Sequence, residues 1–401
     1  MHLSENKTTK QKIYAFDTMR YLLAYCVVLG HTYIMLFKGD SSIGWCIQNL
    51  AVDGFFILSG FLIALSYFNS ISINKDIDSL VIKSIINKIK RLYPEYIFAT
   101  LFTLILLCIF FRKPHTIDIL MNLVFMGQVN GSEGIVRGAW YISVLFWLNI
   151  LFVGLLYYCH KIAVYCIIPL MFFIAYSYCF AIYGGLSLNA YPLVDGYISA
   201  GFLKGIMGIG LGIETFFVCK YVKNTSFPVL RYPSVYILLT ELLCLYLLYY
   251  SFAQEQLSKR DFICYFAYPF LIGLYYFNKA ILTKFFSWKI WALITPTTYM
   301  LFLIHPICLE IIKKYIPYHN FPRSFVYISI MLFCGCFAVF CYHIQRHLFI
   351  KLKQILFIPQ AENSSLNVGN PERERERERA LPSFIREVIN FNFQREQLCH
   401  Y

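Results

Sequence analysis

The segment RYLLAYCVVLGH, residues 20–31, encloses ten apolar, small or tyrosine residues between an arginine and a histidine. It lies within the apolar run 14–37, which as a helix is long enough to cross a hydrocarbon core of about 30 Å. Eleven helical steps bring Arg20 and His31 within about 20° of each other, so both side chains share one helix face about 16 Å apart. Ionisable groups are costly inside a membrane and mark candidate functional sites. The pattern alone also fits a pair without function, in which Arg20 extends its charged group to the membrane interface and His31 packs between helices.

The composition predicts a membrane protein. Of the 401 residues, 59% are hydrophobic and only 14% are charged, whereas about a quarter of the residues of a soluble domain carry charge. Ten apolar runs predict an all-α polytopic membrane protein with about ten transmembrane helices. The predicted helices span 14–37, 46–68, 94–112, 138–158, 162–183, 198–219, 233–252, 262–278, 293–312 and 324–345.

The distribution of charge predicts the sidedness and the domain organisation. Ten crossings place both termini on the same side of the membrane. The segments on that side contain eighteen lysines and arginines, and the segments on the other side contain nine. The positive-inside rule therefore predicts cytoplasmic termini. We expect a cytoplasmic N-terminal segment over 1–13, a transmembrane domain over 14–345 and a disordered cytoplasmic tail over 346–401. The tail contains the repeat ERERERER at 372–379, whose like charges at i and i+4 disfavour a helix.

Several patterns argue against other classes of function. The net charge of +13 does not indicate a nucleic-acid partner, because the basic residues lie between apolar runs rather than on one face. The 14 cysteines are scattered, and no Cys-x-x-Cys or histidine–cysteine spacing predicts a metal site or a disulfide framework. The glycine-rich segment 201–212 is not preceded by a strand, so it favours close helix packing over a nucleotide-binding loop. The bilayer is the one partner that composition predicts.

Ionisable residues inside the other predicted helices are further candidates. Lys204 and Glu214 lie ten residues apart on one helix, about 15 Å, so each needs another partner. Asp53 either orients a catalytic group or caps its helix. His305, which is followed by a proline, either contacts an acceptor or is structural. We take eight of the ionisable residues inside predicted helices as candidates: Arg20, His31, Asp53, Lys204, Glu214, Glu241, His305 and Glu310.

Six motifs, in order, resemble those of acyltransferase family 3, a family of transmembrane acyltransferases. The first helix of that family carries an arginine or lysine, ten residues and then a histidine, as at Arg20 and His31. Its basic segment, usually Arg-x-x-Arg-Ile-x-Pro, is represented here by Lys88-x-x-Arg91. Each motif is weak alone, but together they cover 14–345 in the family's order. The motifs are FDTMRYLLAYCVVLGH (16–31), VDGFFILSGFLIA (52–64), KIKRLYPEY (88–96), AWYISVLFW (139–147), GFLKGIMGIGLG (201–212) and TYMLFLIHP (298–306).

The resemblance implies transfer of an acyl group, commonly acetyl from acetyl-CoA, to a sugar hydroxyl of a surface glycan or its lipid-linked precursor. Such glycans include lipopolysaccharide and capsule, and the family implies the bacterial inner membrane and no metal. His31 would be catalytic, as a general base or as a carrier of the acyl group. Arg20 would help to hold the donor at this centre, while Lys88 and Arg91 would face the anionic part of coenzyme A. Supporting or acceptor-side candidates are Asp53, Ser59, Trp140, Tyr141 and His305.

The chain departs from the family pattern at one point, and other functions remain open. Many members carry glutamates shortly after the tryptophan that corresponds to Trp140, whereas no carboxylate follows it here; Glu214 and Glu241 are candidates to replace them. Lys88 and Arg91 also fit simple positive-inside anchoring. The intramembrane histidine and carboxylates would also suit a transporter or flippase for lipid-linked glycans. A non-catalytic membrane scaffold is the third class of function.

Overall fold

The computed structural model describes residues 13–37, 47–71, 76–111, 114–127, 134–136, 138–186, 192–194, 198–225, 234–254 and 258–357. This part of the chain is mostly helical, with turns between the helices and one short antiparallel pair of strands, β1 (Pro192–Val194) and β2 (Ile198–Ser199). The α-helices are α1 (Tyr14–Thr32), α2 (Ile47–Ile71), α3 (Ile77–Phe110), α4 (Thr116–Leu123), α5 (Ala139–Tyr158), α6 (His160–Ile162), α7 (Ile168–Tyr178), α8 (Gly201–Asn224), α9 (Ser234–Phe252), α10 (Cys264–Tyr276), α11 (Trp291–Ile294), α12 (Thr298–Tyr315) and α13 (Arg323–Phe357).

Nine helical segments of the described residues are long and apolar enough to cross a membrane. The predicted all-α polytopic architecture is therefore confirmed. The segment predicted at 262–278 forms α10, a helix of 13 residues preceded by the 3-10 turn Lys259–Ile263. At about 1.5 Å per α-helical residue and 2.0 Å per 3-10 residue, the two together span about 30 Å. α10 is not among the nine segments, and it contacts α2, α8 and α9, so neighbouring helices cover it. The nine segments are Tyr14–Phe37, Ile47–Ile71, Ile77–Phe110, Ala139–Tyr158, His160–Tyr183, Gly201–Asn224, Ser234–Phe252, Trp291–Tyr315 and Arg323–Leu352.

Two helices extend beyond their predicted limits. α3 begins well before residue 94, because no glycine separates the basic segment from the apolar run and Pro94 removes only one helical hydrogen bond. α13 continues to Phe357, so residues 346–357, predicted as the start of the tail, are helical. The repeat at 372–379, the rest of the tail and residues 1–12 lie outside the described residues. The cytoplasmic location of both termini stays a prediction.

The spanning segments divide into an inner and an outer group. In the most apolar window of α2, 78% of the residues are buried, against 17% in α9. At least half of the corresponding window is buried in α1, α5, α8 and the segment that contains α12, whereas α3, α13 and the segment that contains α7 are 28% buried. Large apolar side chains dominate the surface that the outer group exposes, which suits contact with lipid.

Glycines bring α2 and α8 into close contact. A side chain at Gly60 would overlap the backbone carbonyl of Ile209, and one at Gly212 would overlap that of Ile57. The glycine-rich segment therefore packs helices, as its composition predicts. The expectation that no strand precedes it is wrong, because the two-residue strand β2 ends just before α8. This contact also fixes the rotation of α2 about its axis. With Gly60 turned toward α8, the neighbouring Ser59 lines a cavity outside this contact.

Candidate functional site

A cavity of about 940 Å³ lies among α1, α2, α3, α5 and the segment 292–302. Its walls combine apolar side chains with hydroxyl, amide and charged groups. Of the described residues that line it, four are cationic and two are anionic, so the cavity carries an excess of positive charge. The charged lining residues are Asp17, Arg20, Lys83, Lys88, Arg91 and Glu95.

The structure brings the three predicted donor-binding cations together in this cavity. Lys88 and Arg91 lie one turn apart on α3, and their charges act on Arg20 across the cavity from α1. Nη1 of Arg20 lies 3.1 Å from Oδ1 of Asp17, and the Arg20 side chain is 22% exposed. Arg91 is exposed and Lys88 is half-buried. These positions suit an anionic ligand, but the binding roles themselves stay predictions.

Two neighbouring candidates on α5 have different surroundings. Tyr141 lines the cavity, where its hydroxyl group interacts with that of Ser59. Trp140 is absent from the described lining of the cavity and packs instead on Phe56, with ring centroids 6.3 Å apart, and against Gly201. Successive residues of a helix point about 100° apart, and here Tyr141 faces the cavity while Trp140 faces Phe56 and Gly201. The structure therefore places Tyr141 and Ser59 at the cavity and Trp140 in the packing, and the supporting or acceptor-side role of all three stays a prediction.

Three aromatic rings form one end of the cavity. The ring centroid of Tyr141 lies 5.7 Å from that of Phe55 and 5.2 Å from that of Phe302. Arg20 and Lys83 lie at the opposite end of the cavity. Among the lining residues of its own helix, each of the three aromatic residues is the one farthest from that opposite end. We call Phe55, Tyr141 and Phe302 the aromatic floor.

Beyond the aromatic floor lies a pair of histidines. The ring centroid of His305 is 6.0 Å from that of Phe302. Nδ1 of His31 lies 2.8 Å from Nε2 of His305, and the rings are nearly parallel, with centroids 5.1 Å apart. His305 is fully buried, whereas His31 is half-buried. His305 therefore contacts the side chain of His31, and both histidines lie outside the described lining of the cavity.

Asp53 and Lys204 form a separate buried ion pair. Nζ of Lys204 lies 3.2 Å from Oδ2 of Asp53, and neither side chain is exposed. The Tyr265 hydroxyl donates to Oδ1 of Asp53 at 2.8 Å, and Lys204 donates to the carbonyl of Asn49 at 3.2 Å. The proposal that Asp53 caps its helix is wrong, because Asp53 lies in the second turn of α2, which begins at Ile47. Lys204 thus has the partner that the sequence required.

The two glutamates considered as replacements for the family carboxylate do not line the cavity among its described residues. Glu241 accepts hydrogen bonds from the backbone N–H groups of Ile281, Leu282 and Thr283 at 2.8 to 2.9 Å, and one from the Thr283 hydroxyl. Its carboxylate ties α9 to the segment before α11. Glu214 is likewise absent from the described lining of the cavity.

Sequence reasoning missed two carboxylates of the cavity. Asp17 pairs with Arg20 three residues later, and Glu95 follows Arg91 by four residues on α3. Both spacings place the acidic residue on the same helix face as the basic one. The sequence could have indicated both pairs, because each lies within one of the quoted motifs, 16–31 or 88–96. Glu95 also lies close enough to Tyr299 to act on it electrostatically. The cavity therefore offers carboxylates beside its cations, without Glu214 or Glu241.

The family model for the acyltransferase domain of acyltransferase family 3 matches residues 13–343. This range contains every described residue that lines the cavity and both histidines. Comparison with curated proteins and with solved structures gives no match. The family match covers most of the chain and includes the site that the geometry brings together. The chain therefore belongs to acyltransferase family 3 and is a membrane acyltransferase.

Proposed function

We propose that this membrane acyltransferase moves an acetyl group from acetyl-CoA to a sugar hydroxyl of a surface polysaccharide or its lipid-linked precursor. Lipopolysaccharide and capsule are the glycans we expect, and the bacterial inner membrane is the expected location. The observation that carries the proposal is a cavity with excess positive charge whose aromatic floor lies next to the histidine pair.

The cavity suits the donor in charge and in length. Coenzyme A carries phosphates at one end and the reactive thioester at the other. Arginine and lysine bind phosphate through charge-assisted hydrogen bonds, so Arg91 and Lys88 are placed to hold that end. His31 lies about 16 Å beyond Arg20 along α1, a distance that an extended pantetheine arm would follow. With the N-terminus in the cytoplasm, as predicted, the cavity opens toward the compartment that holds acyl-CoA.

The chemistry needs a base and a leaving group. In the direct route, His31 takes the proton of the sugar hydroxyl and the oxygen attacks the thioester carbonyl carbon. The carbon–sulfur bond breaks, and the departing thiolate takes the proton from His31, which yields an acetyl ester and free coenzyme A. In the alternative route, His31 attacks the thioester first and then passes the acetyl group to the sugar. Both routes end with the same products.

The test compares surface glycans by mass spectrometry from cells that carry the wild-type protein, a gene deletion or His31→Ala. Protein levels are matched by immunoblot. We expect the acetyl mass increment to disappear in the deletion and in His31→Ala. His319→Ala is the matched control, because His319 is an exposed histidine in the 3-10 turn Tyr318–Asn320, outside the cavity. Unchanged acetylation in His31→Ala at normal protein level would refute the proposal.

The same experiment separates the enzyme from the transporter alternative. An acyltransferase lacking activity leaves the amount of exported glycan at its wild-type level while the acetyl increment is lost. A flippase lacking activity reduces the exported glycan itself, whatever its acetylation. Measuring both quantities in the deletion strain therefore assigns the class of function.

A further inference from the structure

The sequence His305-Pro306 creates an unusual set of hydrogen bonds within α12. Pro306 has no N–H, so the carbonyl of Phe302, four residues earlier, loses its helical donor. The His305 ring turns back on this turn of the helix: Nδ1 lies 3.2 Å from the carbonyl oxygen of Leu301, and the ring also hydrogen-bonds the carbonyl of Phe302. Because a carbonyl only accepts hydrogen bonds, Nδ1 of His305 carries a proton.

The protonation of His305 determines that of His31. A neutral imidazole has one N–H, so proton-bearing Nδ1 leaves a lone pair on Nε2 of His305. Full burial favours this neutral form, since an isolated charge is costly to bury. Nε2 of His305 lies 2.8 Å from Nδ1 of His31, and two lone pairs cannot share that contact. Nδ1 of His31 therefore donates to His305, and Nε2 of His31 is left as the unprotonated nitrogen.

We propose that His305 is a positioning residue that fixes His31 in the tautomer with a free lone pair on Nε2. This inference rests on the proposed catalytic role of His31 and adds which atom reacts and what prepares it. The half-buried His31 keeps some exposed surface, whereas the fully buried His305 has none. His305 thus acts through His31. Either route of transfer uses the same atom, since Nε2 takes the proton or receives the acetyl group.

The first experiment compares three substitutions of His305 by steady-state kinetics with acetyl-CoA in purified, lipid-reconstituted protein. His305→Gln keeps an amide oxygen near the position of Nε2, His305→Asn places its amide near the position of Nδ1, and His305→Leu has no acceptor. We expect His305→Leu and His305→Asn to lose about 10- to 100-fold in kcat with the KM for acetyl-CoA unchanged. His305→Gln is expected to recover most of that loss. Equal kcat in all three variants would overturn the proposal.

Cys308→Ala serves as the control for packing. Cys308 lies three residues after His305 on the same helix and is also buried, so its truncation disturbs the same region without touching the histidine pair. We expect wild-type kcat in Cys308→Ala. A loss in that variant equal to the loss in His305→Leu would attribute the effect to packing and contradict the positioning role.

The second experiment reads the tautomer directly and does not depend on activity. Protein labelled with ¹⁵N-histidine is reconstituted in lipid for solid-state NMR, in which protonated and unprotonated imidazole nitrogens are resolved. Signals lost in His31→Ala assign His31, and signals lost in His305→Gln assign His305. We expect a proton on Nδ1 of both residues and a bare Nε2 on His31. A bare Nδ1 on His31 would overturn the inference even if acetyl transfer is demonstrated, and the expected tautomer without any transfer would instead count against the proposed function.

Discussion

Two groups of charged side chains lie within this membrane bundle, and they differ in how completely their charges are paired. Asp53 and Lys204 face each other with no exposed surface, and each has one further hydrogen bond, to the Tyr265 hydroxyl and to the carbonyl of Asn49. The cavity around Arg20 is open, and its cations outnumber its carboxylates among the described lining residues.

This difference separates structural charge from functional charge. An ion pair with no exposed surface cannot be reached by a ligand, and its loss affects the fold. An open cavity with unbalanced cations keeps its capacity for an anion, and a change there affects binding. Substitutions in the two groups should therefore act on different measured quantities, stability in the first and the KM for the donor in the second.

The largest effect on stability is expected from Lys204→Met. The substitution leaves Asp53 buried without its cation, which costs about 3–5 kcal/mol when one partner of a buried pair is removed. The loss of stability is measured by heating the purified protein in detergent and monitoring the folded fraction by size-exclusion chromatography. The double variant Asp53→Leu with Lys204→Met is expected to recover much of it. A single variant as stable as the wild type would show that this pair does not support the fold.

A smaller loss of stability is expected from Glu241→Gln. The carboxylate accepts three backbone hydrogen bonds and one from the Thr283 hydroxyl. The glutamine side chain has an NH₂ group in place of one carboxylate oxygen, so some of those donors lose their acceptor. Each donor left unsatisfied costs about 1–3 kcal/mol. The same unfolding assay measures it, with Glu241→Ala as the more severe comparison. A lower kcat at unchanged stability would contradict the structural role and return Glu241 to the list of catalytic candidates.

The smallest effects come from the neighbours Tyr141 and Trp140. Tyr141→Phe removes one hydroxyl from the cavity, and a net hydrogen bond of about 0.5–1.5 kcal/mol predicts a two- to tenfold rise in the KM for acetyl-CoA. Trp140→Phe keeps an aromatic ring in the packing and is expected to leave that KM unchanged. Initial-rate measurements on both variants check the difference. A larger rise in Trp140→Phe would mean that the site extends to the other side of α5.

Much of the fold follows from the sequence, because hydropathy and length determine which segments cross a membrane. The limits of the helices are less predictable. α3 extends through the basic segment to Ile77, and α13 runs on to Phe357, since polar residues past the bilayer continue a helix without any change in hydropathy that would mark them. The segment predicted at 262–278 contains the 13-residue helix α10, and the neighbours that cover α10 are set by tertiary packing, which hydropathy does not reveal.

Several residues of the cavity were predictable from the sequence, but the contacts between them were not. Arg20, Lys88 and Arg91 were expected near one ligand, and they line one cavity. The contact between His31 and His305 joins positions 274 residues apart, and helical periodicity gives no information on such pairs. Which helices meet depends on packing details such as the contact at Gly60, where a missing side chain lets two backbones approach.

The central claim is that the cation-lined cavity holds the acyl donor while the histidine pair serves the chemistry. The most direct test is isothermal titration of acetyl-CoA into lipid-reconstituted wild-type protein, the double variant Lys88→Gln with Arg91→Gln, and His31→Ala. Because each charge-assisted hydrogen bond contributes about 1.5–3 kcal/mol, we expect the double variant to bind about 100-fold more weakly or worse. We expect His31→Ala to bind like the wild type without transferring acetyl. Wild-type affinity in a correctly folded double variant would contradict the account.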